Sequence, residues 1–373
     1  MEENFIKIHK SLYPLSFLYG LGVSLRNKMF DWNILHSKSY NIPVISVGNI
    51  TVGGTGKTPH TEYLIKLLKK EFKVAVLSRG YKRKSKGFIL ANESSTAKEI
   101  GDEPFQIKQK FPEVIVSVDK DRCHGIETLQ QERASELEVI LLDDAYQHRY
   151  VAPGINILLV DFNRLICDDA LLPAGRLREP ARGKSRATMV IVTKCPRVMK
   201  PMDFRIITKR LDLYPYQQLY FTSYRYSSLT PIFPAVNNRK RTLGQIEKDE
   251  KVLLLTGIAS PQQLLQDIER YSSNITPLTF ADHHDFTEND MVTLKETFEN
   301  LPGEKKIIIT TEKDAARLTQ FSNLDEKIQK NIYTLPIEVR FLQNQEEAFN
   351  QNIIEYVRKN KRDSSLPERE DAY

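Results

Sequence analysis

Residues 43–70 read Pro43-Val-Ile-Ser-Val-Gly48, then Asn49-Ile-Thr51-Val-Gly53-Gly54-Thr55-Gly56-Lys57-Thr58, then Pro59-His-Thr-Glu-Tyr-Leu-Ile-Lys-Leu-Leu-Lys-Lys70. The first part is an apolar run of strand length, and Lys57–Lys70 carries apolar residues at helical spacing. With the next apolar run, Val74–Ser78, the stretch reads as a βαβ unit. A glycine-rich turn between a strand and a helix is a cradle for phosphate. Gly53, Gly54, Thr55 and Gly56 let backbone N–H groups approach phosphate oxygens. Lys57 reaches the β- and γ-phosphates, and the Thr58 hydroxyl is a Mg²⁺ ligand at the helix N-terminus. The strict G-x-x-x-x-G-K-[ST] spacing has glycine where Thr51 stands, and Gly53 and Gly54 compensate.

Outward from this unit, Val114–Val118, Val139–Leu142, Ile155–Val160 and Met189–Thr193 are further β-branched-rich runs, the signature of a mostly parallel sheet covered on both faces. The pattern loosens after Lys194 through a Pro- and Tyr-rich stretch. It resumes with strands at Val252–Thr256, Ile275–Phe280 and Ile307–Thr311 and helices near Pro261–Tyr271 and Glu288–Glu299. Asn331–Glu338 is expected to add a strand to this second group, and Glu346–Lys359 a last helix. The division expected is an N-terminal segment 1–36, a first domain 37–215, a linker 216–250, a second, smaller α/β domain 251–360 and a polar, disordered tail 361–373.

Val139-Ile-Leu-Leu-Asp143-Asp144 is an apolar strand ending in two carboxylates. Beside a phosphate loop, such a strand end faces the Mg²⁺ of the nucleotide, and either aspartate can hold the ion or its waters. GTP-binding proteins read guanine with an Asn/Thr-Lys-x-Asp segment. Here Thr193-Lys194-Cys195 runs into Pro196, so the guanine-reading carboxylate is missing and ATP is the expected nucleotide. A phosphoryl transfer to a hydroxyl also needs a base. Asp102, in Gly101-Asp102-Glu103-Pro104, fits two roles: that base, or a helix-start carboxylate ahead of a proline at the first helical position. In Asp282-His283-His284-Asp285 the adjacent histidines cannot both point one way, so one functional histidine with a structural neighbour is more natural than a metal site.

The chain has 373 residues with 54 Lys+Arg and 48 Asp+Glu, a formal charge of +6. That is too mild to imply nucleic-acid binding. Basic residues cluster at Lys82–Lys86 and at Arg176–Arg186. The three cysteines, Cys123, Cys167 and Cys195, form no CxxC pair, which argues against a disulfide framework or a cysteine zinc site. Leu15–Leu25 is uncharged but far shorter than the roughly 20 apolar residues of a spanning helix. Glu2 and Glu3 stand where a signal peptide has basic residues. Two readings remain: a helix lying in a membrane interface with Phe17, Tyr19, Phe30 and Trp32 as anchors, or a helix packed on a core.

The ordered set Ser46–Pro59, Ser78-Arg-Gly-Tyr81, Gly101-Asp-Glu-Pro104, Asp143-Asp144 with Gln147-His148, Leu172-Pro-Ala-Gly-Arg-Leu-Arg-Glu-Pro180, Phe280-Ala-Asp-His283 and Thr311-Glu-Lys-Asp314 resembles the tetraacyldisaccharide 4′-kinases, the lipid A 4′-kinase family. The resemblance runs from the N-terminal helix to at least Asp314. It implies a P-loop NTPase-like parallel-sheet domain, a second, smaller α/β domain and an N-terminal membrane-associated helix. It further implies an ATP- and Mg²⁺-dependent lipid kinase on the cytoplasmic face of the bacterial inner membrane, with no nucleic-acid or obligate protein partner. The acceptor would be the 4′-hydroxyl of tetraacyldisaccharide 1-phosphate, giving lipid IVA. Asp102 would be the general base, assisted by His283; Asp143 and Asp144 would organise Mg²⁺; Lys57 and Thr58 would hold phosphates; Tyr81, Arg178 and Glu179 would lie on the substrate side. Lys82-Arg83 follows Tyr81 where relatives often continue with glycine. Two other classes make different predictions. A GTP-switched assembly or metal-delivery factor would hydrolyse GTP without lipid, and a soluble small-molecule kinase or ligase would not need the first 30 residues.

Overall fold

The structure is a computed structural model that describes residues 8–258, 261–282, 284–321 and 324–364. The chain forms two compact units, one containing residues up to Tyr224 and again from Val339, the other Arg225–Glu338.

The first unit runs α1 (Tyr13–Asp31), β1 (Val44–Gly48), α2 (Lys57–Leu68), β2 (Val74–Ser78), β3 (Ile89–Leu90), α3 (Ala97–Ile100), α4 (Asp102–Lys110), β4 (Ile115–Val118), α5 (Arg122–Arg133), β5 (Val139–Asp143), β6 (Ile155–Asp161), β7 (Met189–Thr193), α6 (Pro201–Leu211) and β8 (Gln218–Tyr226). The second runs β9 (Thr230–Pro231), β10 (Lys251–Thr256), α7 (Pro261–Glu269), β11 (Ile275–Thr279), α8 (Glu288–Asn300), β12 (Lys306–Thr310), α9 (Glu312–Leu318), α10 (Glu326–Asn331) and β13 (Ile332–Thr334). The chain then returns through β14 (Ile337–Phe341) and α11 (Glu346–Ser364).

The large sheet has the order β14-β8-β7-β6-β1-β5-β2-β4-β3. From β8 to β4 every pairing is parallel, and β3 runs antiparallel to β4 at the edge. Its strands β1, β2, β5 and β7 are buried end to end because both faces are covered. Ile45, Val47, Val76, Leu141, Ile157 and Ile191 point to α2 and α11, whose Leu64, Ile65, Phe349, Ile353 and Val357 complete one core. The alternate residues point the other way: Ala75, Leu77, Ile140 and Leu142 meet Ile126 and Leu129 of α5, while Leu158, Val160, Val190 and Val192 meet Ile207 and Leu211 of α6. β1 lies between β5 and β6, so the strand order reverses there. The crevice beyond the carboxyl end of such a strand is where an α/β sheet binds ligands.

In the second unit the order is β11-β10-β12-β13-β9, with only β9 antiparallel to its neighbour. Leu253, Leu255 and Ile308 pack on Met291, Leu294 and Phe298 of α8. On the other face Leu254, Ile307 and Ile309 pack on Leu264 and Ile268 of α7.

The units divide the chain elsewhere than the sequence reading does. Residues 216–250 are not a linker: Gln218–Leu219-Tyr-Phe221 pairs with β7, and the first unit continues to Tyr224. Asn331–Glu338 is not one strand, because Pro336 interrupts it, leaving β13 in the small sheet and β14 at the edge of the large one. The last helix belongs to the first unit, its Phe349, Ile353 and Val357 filling the core over α2. Helical periodicity shows that a helix has an apolar face, and it carries no information about which sheet that face covers.

Among the described residues no helix is long and apolar enough to cross a membrane. α1 is built inside out. Its buried positions are Ser16, Gly20 and Phe30, while Leu15, Phe17, Leu18, Leu21 and Leu25 are 55–72% exposed. Ser16 Oγ accepts from the Ala174 N–H at 2.9 Å and donates to the Leu171 carbonyl at 3.0 Å. A Cβ on Gly20 would stand 2.6 Å from Leu171 Cδ1, so the absence of a side chain sets how closely the helix docks.

Candidate active site

The phosphate loop leaves β1 at Gly48 and enters α2 at Lys57. Its first half is extended and pairs with the Leu172–Pro180 strap. The Val52 N–H donates to the Arg176 carbonyl and the Arg178 N–H to the Ile50 carbonyl, each at 2.8 Å, with Thr51 bridged to Leu177. A β-branched residue suits that paired, buried position, which explains why Thr51 serves where glycine is usual. The second half is braced from β6 and β7. Thr193 Oγ1 donates to the Thr55 carbonyl at 2.9 Å, and Lys194 Nζ reaches the Gly54 carbonyl and, at 2.7 Å, Asp161 Oδ2.

Gly56 closes the loop at φ +88°, and a Cβ there would fall 2.0 Å from the Tyr224 hydroxyl. Glycine is therefore required twice over, for the backbone angle and for space. His60 fixes the same turn. The Gly56 carbonyl, 2.7 Å from Nδ1, can only accept, so Nδ1 carries the proton and Nε2 accepts from Thr222 Oγ1 at 3.0 Å. Burial lowers the His60 pKa to about 4, keeping the ring neutral.

Asp143 and Asp144 end β5 beside this loop. Asp143 is fully buried and accepts from Thr61 Oγ1 of α2 at 3.0 Å. Burial raises its pKa most, Glu103 and Asp144 add repulsion, and Lys57 and the Thr61 hydrogen bond oppose them. Asp144, at φ +47°, turns its carboxylate to Lys57 Nζ at 3.7 Å and Arg178 Nη1 at 3.6 Å. Asp143 Oδ2 is buried with no hydrogen-bond partner, and Asp144 Oδ1, also without a hydrogen bond, meets only those two cations at ion-pair distance. Orphaned carboxylate oxygens cost stability unless a cation or donor meets them. The unpartnered Asp143 oxygen, with the Asp144 carboxylate beside it near the Lys57 ammonium and the first turn of α2, fits a hard, oxygen-seeking Mg²⁺.

Of the other expected site residues, Arg178 and Glu179 lie beside this centre. α4 begins at Asp102 after Gly101 at φ +93°, so Pro104 occupies the third helical position, not the first. A Cβ on Gly101 would come within 3.1–3.2 Å of Gly80 and Tyr81 backbone atoms, which puts the Tyr81 loop against the start of α4. Tyr81 is 60% exposed. Arg178 Nη1 also donates to Gln147 Oε1 at 3.3 Å. Glu179 is buried and paired with Arg186 at 2.8 Å, and it accepts from Gln147 and from Asn27 of α1. His283 lies outside the described residues. Its neighbour His284 is tied within the second unit, Nε2 to Asp290 at 2.9 Å and the ring stacked on Phe280.

Beyond Asp144 the first unit opens a pocket of about 660 Å³, lined among others by Arg79, Arg122, Asp144, Gln147, His148 and Arg178. Four cationic side chains, with Lys120, converge there. Arg122 is almost fully buried and donates to the Asp144 carbonyl at 3.4 Å. Burial lowers its pKa to about 10, against the pull of Asp144.

Comparison with known proteins decides the family. The family model described as tetraacyldisaccharide-1-P 4′-kinase matches residues 8–358. The chain belongs to that family. It is 60% identical over 374 residues to the tetraacyldisaccharide 4′-kinase of Bacteroides fragilis, covering all of both chains, and 62% identical to that of Phocaeicola vulgatus, covering 98% of this chain and all of the relative. A crystal structure of LpxK from Aquifex aeolicus in complex with ATP matches with a TM-score of 0.71 at 28% identity, covering 94% of this chain and 99% of that one. As a tetraacyldisaccharide 4′-kinase family member the chain is a kinase of lipid A synthesis, and the GTP-switch alternative has no support. Thr193 and Lys194, where a guanine-reading segment would stand, serve to brace the loop.

Several residues that shape this site were not singled out from the sequence. Glu103 repels Asp143, Arg122 binds the Asp144 backbone, and Tyr224 abuts Gly56. Arg122 had a usable signal: Lys120-Asp121-Arg122 follows the carboxyl end of a parallel strand, where ligand-facing loops gather. Arg83, in one of the basic clusters, is spent on the Val118 and Gly87 carbonyls.

Proposed function

We propose that this kinase transfers the γ-phosphoryl group of ATP to the 4′-hydroxyl of tetraacyldisaccharide 1-phosphate, forming lipid IVA at the cytoplasmic face of the inner membrane. The observation that carries this reading is the unpartnered, buried Asp143 oxygen beside the Asp144 carboxylate, set between a phosphate loop and a cationic pocket.

The N–H groups of Gly53–Thr58 and the Lys57 ammonium hold the triphosphate, while Thr58, Asp143 and Asp144 are the residues suited to hold Mg²⁺. Bound Mg²⁺ would neutralise charge that develops on the transferred phosphoryl group. Asp102 takes the proton of the acceptor hydroxyl, with His283 assisting. Arg178, already paired with Asp144, stabilises anionic oxygens on the acceptor side. Glu179 acts through Gln147 and Arg186, whereas Tyr81 is exposed beside the start of α4. The pocket beyond Asp144 receives the sugar head of the acceptor, and its arginines suit a phosphorylated sugar.

α1 meets the bilayer with the leucine and phenylalanine face it exposes. Each acyl CH₂ left in the bilayer is worth about 0.8 kcal/mol, so the enzyme comes to the lipid. The Tyr19 hydroxyl donates to the Arg178 carbonyl at 2.7 Å, which ties this helix to the acceptor side of the site.

The deciding experiment is transfer of ³²P from γ-labelled ATP to purified tetraacyldisaccharide 1-phosphate in mixed micelles, with GTP and acceptor-free controls. Label at the 4′ position with ATP is the expected result. Nucleotide hydrolysis without labelled lipid would overturn the assignment.

A further inference from the structure

The Thr311-Glu-Lys-Asp314 motif belongs to the second unit and has no task in the steps above. Thr311 is the N-cap of α9. Its Oγ1 accepts from the Asp314 N–H at 3.1 Å and donates to Asp314 Oδ2 at 2.8 Å. This reciprocal cap fixes the Asp314 carboxylate against the end of the neighbouring strand β10, where the Gly257 N–H also donates to Oδ2, at 2.9 Å. Arg317 stands one turn further along α9. Its Nη1 donates to Asp314 Oδ1 and to the His284 carbonyl, each at 3.4 Å. Both side chains are buried, that of Asp314 completely.

These bonds converge on the segment that carries His283. Before it, the Phe280 N–H donates to the Thr256 carbonyl at 2.7 Å, at the last residue of β10. A Cβ on Gly257 would stand 3.0 Å from Asp314 Oδ1 and 3.5 Å from the Ala281 carbonyl, so the missing side chain lets the carboxylate and the segment close on the same backbone. After it, Arg317 holds the His284 carbonyl, the His284 N–H donates to the Ala281 carbonyl at 3.1 Å, and the His284 ring stacks on Phe280. Lys313 adds a more exposed tie to Asp282 at 3.4 Å. Stability alone is a poor reason for this arrangement. Burial pushes the Asp314 pKa up against the Gly257 and Thr311 hydrogen bonds and the Arg317 charge, the mark of a carboxylate that is costly to keep in a core. A buried ion pair is often no more stable than apolar residues of the same volume, and what it can supply instead is one fixed arrangement. The arrangement fixed here is that of the residues on both sides of His283.

We propose that Asp314 and Arg317 are positioning residues for the phosphoryl transfer: their buried pair holds the backbone on either side of His283 in one arrangement and so sets where its imidazole can reach. The inference rests on the assignment of His283 as the group that assists Asp102.

A double-mutant cycle on the full-length kinase tests this, read as turnover at saturating ATP and lipid. Arg317→Met removes the bond to the His284 carbonyl. It should lower kcat about tenfold while the KM values for ATP and lipid move less than about twofold. His283→Ala should lower kcat too, and in that background Arg317→Met should cost less than about twofold more, because the group being positioned is gone. A purely structural role for the pair predicts the same loss in both backgrounds. A tenfold loss that persists in His283→Ala, or no loss in Arg317→Met, would therefore overturn the positioning and leave His283 its role. Full turnover in His283→Ala would overturn the role of His283, and the positioning with it. Should Arg317→Met fail to fold, Gly257→Ala runs the same cycle. Its Cβ displaces the Asp314 carboxylate without leaving a buried charge unpaired, and its loss of about threefold must likewise vanish in His283→Ala.

Discussion

Helices α1 and α11 are both 19 residues long and both belong to the first unit, yet they are opposites. α11 buries Phe349, Ile353 and Val357 at a four-residue spacing and turns Glu346, Glu347, Glu355, Arg358 and Lys359 to water. α1 turns serine and glycine inward and leucine and phenylalanine outward. It docks through polar contacts at Ser16, Tyr19 and Asn27. Fully burying a Leu or Phe is worth roughly 1.5–3 kcal/mol, so α11 contributes to stability through its apolar face, whereas α1 holds that term unspent. The lesson is that an apolar stripe states a need for a nonaqueous neighbour and does not say whether the neighbour is protein. For α1 that neighbour is the bilayer proposed above.

The comparison breaks if the two helices respond alike to substitution. Phe349→Ala in α11 should lower stability by about 3–5 kcal/mol, read as a lower urea midpoint, without altering vesicle binding by the protein that remains folded. Acid should act on the same core through His60. The unfolded ring takes up its proton near pH 6.5 and the folded one only near 4. Stability therefore falls as pH drops through that window, by about 3 kcal/mol in all, and His60→Gln should flatten the decline. Equal slopes in the two proteins would remove His60 as its source.

Asp102→Ala separates chemistry from docking. It should cut turnover roughly 10²-fold or more at saturating ATP while leaving both the urea midpoint and vesicle flotation where they were. A smaller loss that tracked flotation would mean that Asp102 acts through membrane engagement. The smallest expected effects lie in α1. Leu18→Glu and Leu21→Glu should change stability by no more than about 0.5 kcal/mol, since both side chains are already in water. Each should weaken binding to anionic vesicles about tenfold, because a leucine that enters the interface is lost and a negative charge is gained. Unfolding by either variant would show α1 to be an ordinary core helix.

Most strands and the phosphate loop were legible in the sequence because they are local: apolar runs of fixed length, glycines beside a lysine, two aspartates at a strand end. What was not legible is what distant segments do to one another. The pairing of residues 50–52 with 176–178 turns the Leu172–Pro180 motif into a wall of the loop, and nothing in either segment announces its partner. Asp102 was visible as a residue, but the start of its helix was misplaced because Gly101 at positive φ, not Pro104, sets the entry. Glu103 stayed hidden behind its neighbour, since its influence on Asp143 depends on how α4 crosses the sheet.

The return of the chain to the large sheet has a consequence for biosynthesis. β8 and β14 are neighbours in that sheet, and everything between Arg225 and Glu338 is looped out from their junction, where Arg225 and Glu338 themselves form an ion pair at 3.0 Å. A ribosome delivers the inserted unit whole before it delivers Phe349, Ile353 and Val357. The smaller unit is thus free to fold first, while the larger one emerges early but waits with an open hydrophobic seam until α11 has been made.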